Sequence, residues 1–235
     1  TDSSPAHLEE LARENLDAYG LDSTNFLDAV CETIRETLRT SLDPDVSGLS
    51  LGEIRHKDRL DEMQFLLPVS QDEQGRGVGE ALDPNRLAAA FSLSASSRVP
   101  PAYADSIRNL EFSRLRGFLT GFIDLTFVHD GRWYIVDYKS NQLGGKLGDY
   151  GQENITAAMM SHHYILQYHV YTVALHRYLQ TRLQDYDYEK HFGGVYYLFI
   201  KGMKETLGAG NGIFRDRPPR ELIDKLSSAF EGATI

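Results

Sequence analysis

The sequence predicts a mixed α/β fold, and three observations predict it. A tight hairpin signal, Asp130-Gly131, joins two runs rich in β-branched and aromatic residues, Phe118 to Val128 and Arg132 to Tyr138. A long stretch without Pro or Gly, Ile155 to Leu183, follows as a helix, and a continuous apolar run, Phe192 to Ile200, as a buried central strand. Amphipathic helical patterns open and close the chain.

Taken in order, Pro5 to Tyr19 has apolar residues at Leu8, Leu11, Leu16 and Tyr19, with Gly20 placed to end a helix. A second helix starts with Ser23 or Thr24 as its cap. It carries Phe26, Leu27, Val30, Ile34, Leu38 and Leu42 at helical spacing and ends before Pro44. After a loop over 44–52, the segment Leu60 to Val69 alternates. Met63, Phe65 and Leu67 lie on one side and Glu62 and Gln64 on the other, with Pro68 marking an edge or terminus. Residues 71–105 have little periodicity and read as an insertion between strands, containing at most a short helix over Leu82 to Phe91 introduced by Asp83-Pro84. Beyond the hairpin, Asn141 to Asn154 holds four glycines and reads as a flexible loop in which Lys146 is a candidate phosphate contact or a solvated lysine. Gly202 to Asn211 reads as a loop, and a final helix runs from Pro218 or Pro219 through Phe230.

The hairpin carries the chemistry. A two-residue turn at Asp130-Gly131 places Asp124 directly opposite Asp137. Their Cβ atoms are then about 5 Å apart, a like-charge pair that destabilises a ladder. Nothing in the local sequence offsets that repulsion. A divalent cation between the two carboxylates would turn it into coordination. Lys139 has the strand parity of Asp137, so two acids and one amine converge. A bulge or a three-residue loop would separate them. On the long helix, Gln167 and Tyr171 share a face one turn apart. His162 and His163 point about 100° apart and are read as non-ligands with some scope for contact to nucleic acid.

These motifs carry a resemblance. Asp137-Tyr138-Lys139 resembles the D-x-K half of the PD-(D/E)xK nuclease superfamily. The four blocks GFIDLTF, VDYKSN, HHYILQYHVYTVALHRYL and YDYEKHFGGVYYLF together resemble the nuclease domain of the RecB family, the helicase–nuclease subunits of RecBCD-type exodeoxyribonucleases. The resemblance implies a restriction-endonuclease-like αβββαβ core with extra helices at both ends. It implies Mg²⁺ as cofactor, with Ca²⁺ as an inhibitory or structural substitute, held by Asp124, Asp137 and the Tyr138 backbone carbonyl. It assigns Lys139 to the attacking water or the transition state, Glu62 to an acidic active-site position, and Gln167 and Tyr171 to the substrate side of the metal site. The family's metal-binding histidine is expected upstream of Thr1, leaving His7 an ordinary surface residue. The implied partners are single- and double-stranded DNA, RecC- and RecD-like subunits and the RecA recombinase. A protein-interaction module that docks such subunits and loads RecA, with little cleavage of its own, is the alternative from another class.

Composition sets the remaining bounds. A chain of 235 residues with 41% hydrophobic residues is enough for one α/β domain over residues 1–235. The chain starts at Thr1 without Met, which points to an excised domain, and the resemblance implies a larger helicase–nuclease as its source. A single cysteine, Cys31, excludes an intrachain disulfide or a cysteine-rich zinc site and fits a reduced, cytoplasmic setting. No apolar run approaches a membrane span. The net charge of −10 argues against a module that finds DNA by its own electrostatics, and fits one that is fed strand by a motor.

Overall fold

The computed structural model describes residues 4–70, 76–93, 98–112 and 114–233. Eight helices and five strands are assigned among them, in the order α1 (Pro5–Ala18), α2 (Ser23–Arg39), β1 (Arg59–Val69), α3 (Pro84–Ser92), α4 (Tyr103–Arg108), β2 (Gly117–His129), β3 (Arg132–Lys139), α5 (Gln152–Ser161), α6 (Tyr164–Arg182), α7 (Tyr188–His191), β4 (Phe192–Phe199), β5 (Ile213–Asp216) and α8 (Arg220–Glu231). The strands form one sheet in the order β1-β2-β3-β4-β5. This is the mixed α/β, restriction-endonuclease-like arrangement expected from the sequence, with a fifth strand added. Among the described residues no helix is long and apolar enough to cross a membrane.

The chain divides into two compact units. The first comprises Thr1–Arg59, Tyr138–Ile155 and Tyr197–Phe214. Here Ser4 caps α1, its hydroxyl accepting the His7 N–H at 3.3 Å, with Pro5 opening the helix. Asp22, rather than Ser23 or Thr24, caps α2 through the Thr24 N–H at 2.9 Å. The helix ends at Arg39, three residues before the expected Leu42. Ala12, Leu16, Leu27 and Cys31 form the apolar seam between α1 and α2, and Cys31 is a buried free thiol. Where a plain loop was expected over 202–211, short 3₁₀ turns at Ile200–Gly202 and Glu205–Gly210 lead into β5. Gly212 accepts the Phe199 N–H at 2.7 Å and donates its own to the Tyr150 carbonyl at 2.9 Å.

The second unit comprises Leu60–Asp137, Thr156–Tyr196 and Arg215–Ile235. The hairpin has the expected register, from His129 opposite Arg132 to Leu125 opposite Val136. Asp130 (φ 47°) and Gly131 (φ 74°) are both left-handed, the signature of a type I′ turn whose twist matches the flanking strands. Phe127 stacks on its cross-strand partner Tyr134 at 5.0 Å, and Tyr134 stacks on Tyr196 of β4 at 5.8 Å. Gly193 makes room for that ladder, since a Cβ there would lie 2.2 Å from the Tyr134 ring.

Within residues 71–105 the short helix expected over Leu82 to Phe91 is present as α3, and α4 is an addition. Residues 71–75 and 94–97 lie outside the described set, but the rest carries α3 and α4, whose Leu87, Ala88, Phe91, Tyr103 and Ile107 are buried. Asp83 caps α3 by accepting the Arg86 N–H at 3.0 Å, in line with the Asp83-Pro84 signal.

The expected single helix over Ile155 to Leu183 is two helices. The break falls at His163, whose backbone is left-handed (φ 53°) without being glycine. Tyr103 of α4 fixes the restart: its buried hydroxyl accepts the Leu166 N–H at 2.9 Å, satisfying a donor in the first turn of α6. No Pro or Gly marks the position, so the pattern of residues 155–183 alone could not show it.

Candidate active site

Asp124 lies on β2 and Asp137 on β3. The cross-strand positions following Leu125 and Val136 are Asp124 and Asp137. Asp137 is 3% exposed and Asp124 is half-buried, so the pair lies at the margin between core and solvent. Removing carboxylates from water is costly unless they meet compensating charge or hydrogen bonds. A helix supplies the facing wall. Tyr171 of α6 is pushed up to about 12 by burial first, then by the negative charge of Asp137, with a smaller push from Asp124 and an opposing pull from its hydrogen bond with Gln167. The Gln167 Nε2 donates to the Tyr171 hydroxyl at 2.9 Å.

One residue the sequence reading left in the core completes this wall. Phe65 of β1 meets Tyr171 edge-on at 5.6 Å. Its ring lies where a Cβ on Gly121 would come within 2.8 Å, so the glycine in GFIDLTF makes space for the ring that seats Tyr171. The strand alternation placed Phe65 inward, but nothing in it pointed to Tyr171.

Lys139 is the last residue of β3, two positions beyond Asp137, and is 9% exposed. Its Nζ sits 4.9 Å from the centre of the Tyr197 ring, an attraction of cation for aromatic face that helps to aim the side chain. Tyr197 belongs to the apolar run Phe192 to Ile200, whose pattern carries no sign of this contact. Tyr138, between the two, has its side chain 40% exposed, so its ring is a solvent-side group and the expected contribution is that of its carbonyl.

Glu62 is exposed, and its backbone is left-handed (φ 52°), a kink of the kind β-bulges introduce into a strand. Beyond it the expected alternation holds: Phe65 and Leu67 are buried, and Met63 is half-buried with its sulfur 3.8 Å from the Thr126 hydroxyl. Asp124 and Asp137 act on Tyr171, whereas Glu62 lies on the solvent side of β1. His7 is partly exposed beside Glu10 at 3.7 Å, as expected of a surface histidine. Lys146 is exposed and opens a short 3₁₀ turn, its N–H donating to Asp149 at 2.8 Å. His162 is exposed and stacks on Tyr164 at 5.2 Å.

Among the described residues no group of three or more His, Cys, Asp or Glu is arranged to hold a metal. The available donors are two carboxylates, and a backbone carbonyl from Tyr138 would be a third oxygen. That all-oxygen set suits a hard divalent cation that keeps several waters, and does not suit zinc, which favours nitrogen and sulfur ligands.

An acid pair across a hairpin, with Asp-x-Lys at the end of its second strand, defines a class. The sequence model of the PD-(D/E)XK nuclease superfamily matches residues 7–232, and the chain belongs to that superfamily. Nucleases of this superfamily generally use divalent metal ions. The similarity narrows to one kind of protein. The chain is 40% identical over 95% of its length to the RecBCD enzyme subunit RecB of Escherichia coli strain K12. To the subunits of the same name it is 37% identical over 89% in Haemophilus influenzae and 38% over 82% in Mycobacterium tuberculosis H37Rv. It spans only 17%, 16% and 18% of those three proteins, and so corresponds to a nuclease portion of such a subunit.

Proposed function

We propose that this chain is the metal-dependent nuclease domain of a RecBCD-type helicase–nuclease, hydrolysing phosphodiester bonds of DNA ends during double-strand break repair and recombination. The observation that supports the reading is the hairpin register, which runs to Leu125 opposite Val136 and so leads into Asp124 and Asp137. Asp124, Asp137 and the Tyr138 carbonyl would hold Mg²⁺, with Ca²⁺ as a substitute that binds without supporting full activity. The ion supplies charge neutralisation at the scissile phosphate and a lowered pKa for its bound water. Lys139 orients the attacking water and stabilises charge on the phosphorus oxygens as a point charge. Attack by the water forms a new P–O bond as its proton passes to solvent, the bond to the leaving oxygen breaks, and that oxygen takes a proton from solvent. Gln167 and Tyr171 present polar groups to the phosphate or to the metal's waters. Glu62 is the third acidic position that the family likeness implies, although it is exposed on β1.

The acidic balance of 34 Asp and Glu to 24 Lys and Arg suits a domain supplied with strand by a motor. RecC- and RecD-like subunits are the proposed neighbours in the assembly. A docking role toward them or toward RecA is the second reading. The apolar surface that α1 and α2 leave in water, with Tyr19 at 82% and Phe26 at 50% exposure, favours it.

The test is a time course on end-labelled linear and circular single-stranded DNA with Mg²⁺, Ca²⁺ or chelator. Cleavage that needs Mg²⁺, stops with chelator and is lost in Asp137→Ala and Lys139→Ala is the expected result. Chelator-resistant cutting, or full activity in either variant, would overturn the assignment. Retention of RecA or partner-subunit binding by Asp137→Ala would support the docking role as a separate property.

A further inference from the structure

β2 approaches the carboxylate pair from an end that stays in water. Phe118 is 53% exposed and Phe122 is 54% exposed, with the exposed Thr120 between them, while Leu119 and Gly121 are half-buried. The strand turns inward at Ile123, and Asp124 is the next residue of the alternation. The other phenylalanines of the strand and its sheet neighbours, Phe65, Phe127, Phe192 and Phe199, are buried. Leaving a phenylalanine in water forgoes the stabilisation that burying it would bring. Two such residues in one face of one strand, leading directly to Asp124, call for a ligand.

Charge narrows what that ligand contact must be. A net charge of −10 denies the chain the counterion-release binding on which basic nucleic-acid modules depend. A strand held here is held in part by contacts that do not depend on positive charge. Base stacking on aromatic rings is such a contact, and it accepts every base because every base has a π-face. A strand rises about 3.3 Å per residue, so Phe122 lies about 7 Å along β2 from Asp124 and Phe118 about 13 Å further out. Phe122 is thus within reach of a nucleoside whose phosphate sits at the carboxylate pair. Thr120 between the rings offers a hydroxyl to the sugar–phosphate chain, which an apolar protein interface would not require.

We infer that Phe118 and Phe122 form a base-stacking track that holds single-stranded nucleic acid on its way to the carboxylate pair. The track rests on the nuclease reading above and adds to it a positioning role and a preference for unpaired strand, whose bases alone are free to stack. These phenylalanines position substrate; they are not catalytic.

The test uses the whole chain, the variants Phe118→Ala, Phe122→Ala and Phe122→Trp, and a single-stranded oligonucleotide carrying 2-aminopurine. Each alanine variant should raise KM and Kd about ten-fold, and the double variant about a hundred-fold, the scale of losing one base–aromatic stack per ring. The value of kcat should hold, Phe122→Trp should restore binding, and the fold-loss should be the same at low and high salt. Quenching of 2-aminopurine on binding should vanish in the alanine variants, along with the preference for single strands over blunt duplex. Alanine variants that bind and cut like the parent would overturn the track while leaving the nuclease reading standing. So would a change confined to oligomeric state or to capture of a partner subunit, which would make this face a protein interface. A parent chain that neither binds nor cuts DNA under any divalent ion would overturn both together.

Discussion

Between Phe118 and Lys139 the path of the backbone is decided by two adjacent residues, Asp130 and Gly131. Between Gln152 and Arg182 it is decided by Tyr103, 63 positions before the Leu166 amide it caps. The hairpin has its instruction inside itself: both turn residues accept positive φ, and the twist of that turn sets five recorded cross-strand pairs. The helical stretch has no internal instruction to break, and its break at His163 is imposed from outside. Function is divided along the same line. The acids come from the locally specified element, and the wall that faces them, Gln167 and Tyr171, is carried by the tertiary-specified one.

The comparison can be broken most strongly at the turn. Inserting one residue between Asp130 and Gly131 should shift the register and send one aspartate to the other face of the sheet. Cleavage should then fall by roughly a thousand-fold, the scale of losing one aligned electrostatic partner in an active site. The measurement is initial rate on linear single-stranded DNA, with circular dichroism to show that the fold persists. A register-shifted chain with parental activity would mean that the acids are not positioned by the ladder.

The next test concerns the long-range support of α6. The Tyr168 hydroxyl donates to Asp216 at 2.8 Å, and burial pushes the Asp216 carboxyl up to about 6 despite that bond. A carboxyl with a raised pKa in the folded state binds its proton more tightly folded than unfolded. The penalty for its charge is therefore absent below about pH 4 and grows to its full value as the pH passes about 6. Asp216→Asn keeps an acceptor for Tyr168 and should stabilise the chain by up to about 3 kcal/mol at neutral pH and by little at pH 4. Urea unfolding across that range checks it, and a gain independent of pH would contradict the account.

Smaller effects sharpen the account of the helix break. Tyr103→Phe removes the acceptor for the Leu166 N–H and should cost about 1–2 kcal/mol, with faster amide exchange at Leu166. His163→Gly relieves a left-handed non-glycine backbone and should gain about 0.5–1 kcal/mol in thermal unfolding without altering kcat. If His163→Gly destabilises instead, the His163 side chain contributes more than its backbone costs.

What could be read from the sequence follows the same division. The hairpin, its register, the inward alternation of β1 and the Gln167–Tyr171 pair were legible because each is fixed by spacing or by a turn residue. β5 was not, since its four residues are too few to show periodicity and it is placed by Gly212 bonding to Phe199 and Tyr150. The helix α3 was announced by Asp83-Pro84, whereas α4 was hidden because its six residues are too few to show a pattern and are packed by neighbours. Within the site, Phe65 and Tyr197 escaped notice because an aromatic in a strand looks the same whether it fills the core or seats a functional side chain.

Asp137 and Lys139 occupy alternate positions of one strand, with Tyr138 turned toward solvent between them. Their separation is thus the repeat length of an extended peptide, a constant of covalent geometry. Repacking elsewhere in the protein could weaken the scaffold, yet it could not stretch or shorten that interval. Only an insertion, a deletion or a loss of extended backbone at Tyr138 would change it.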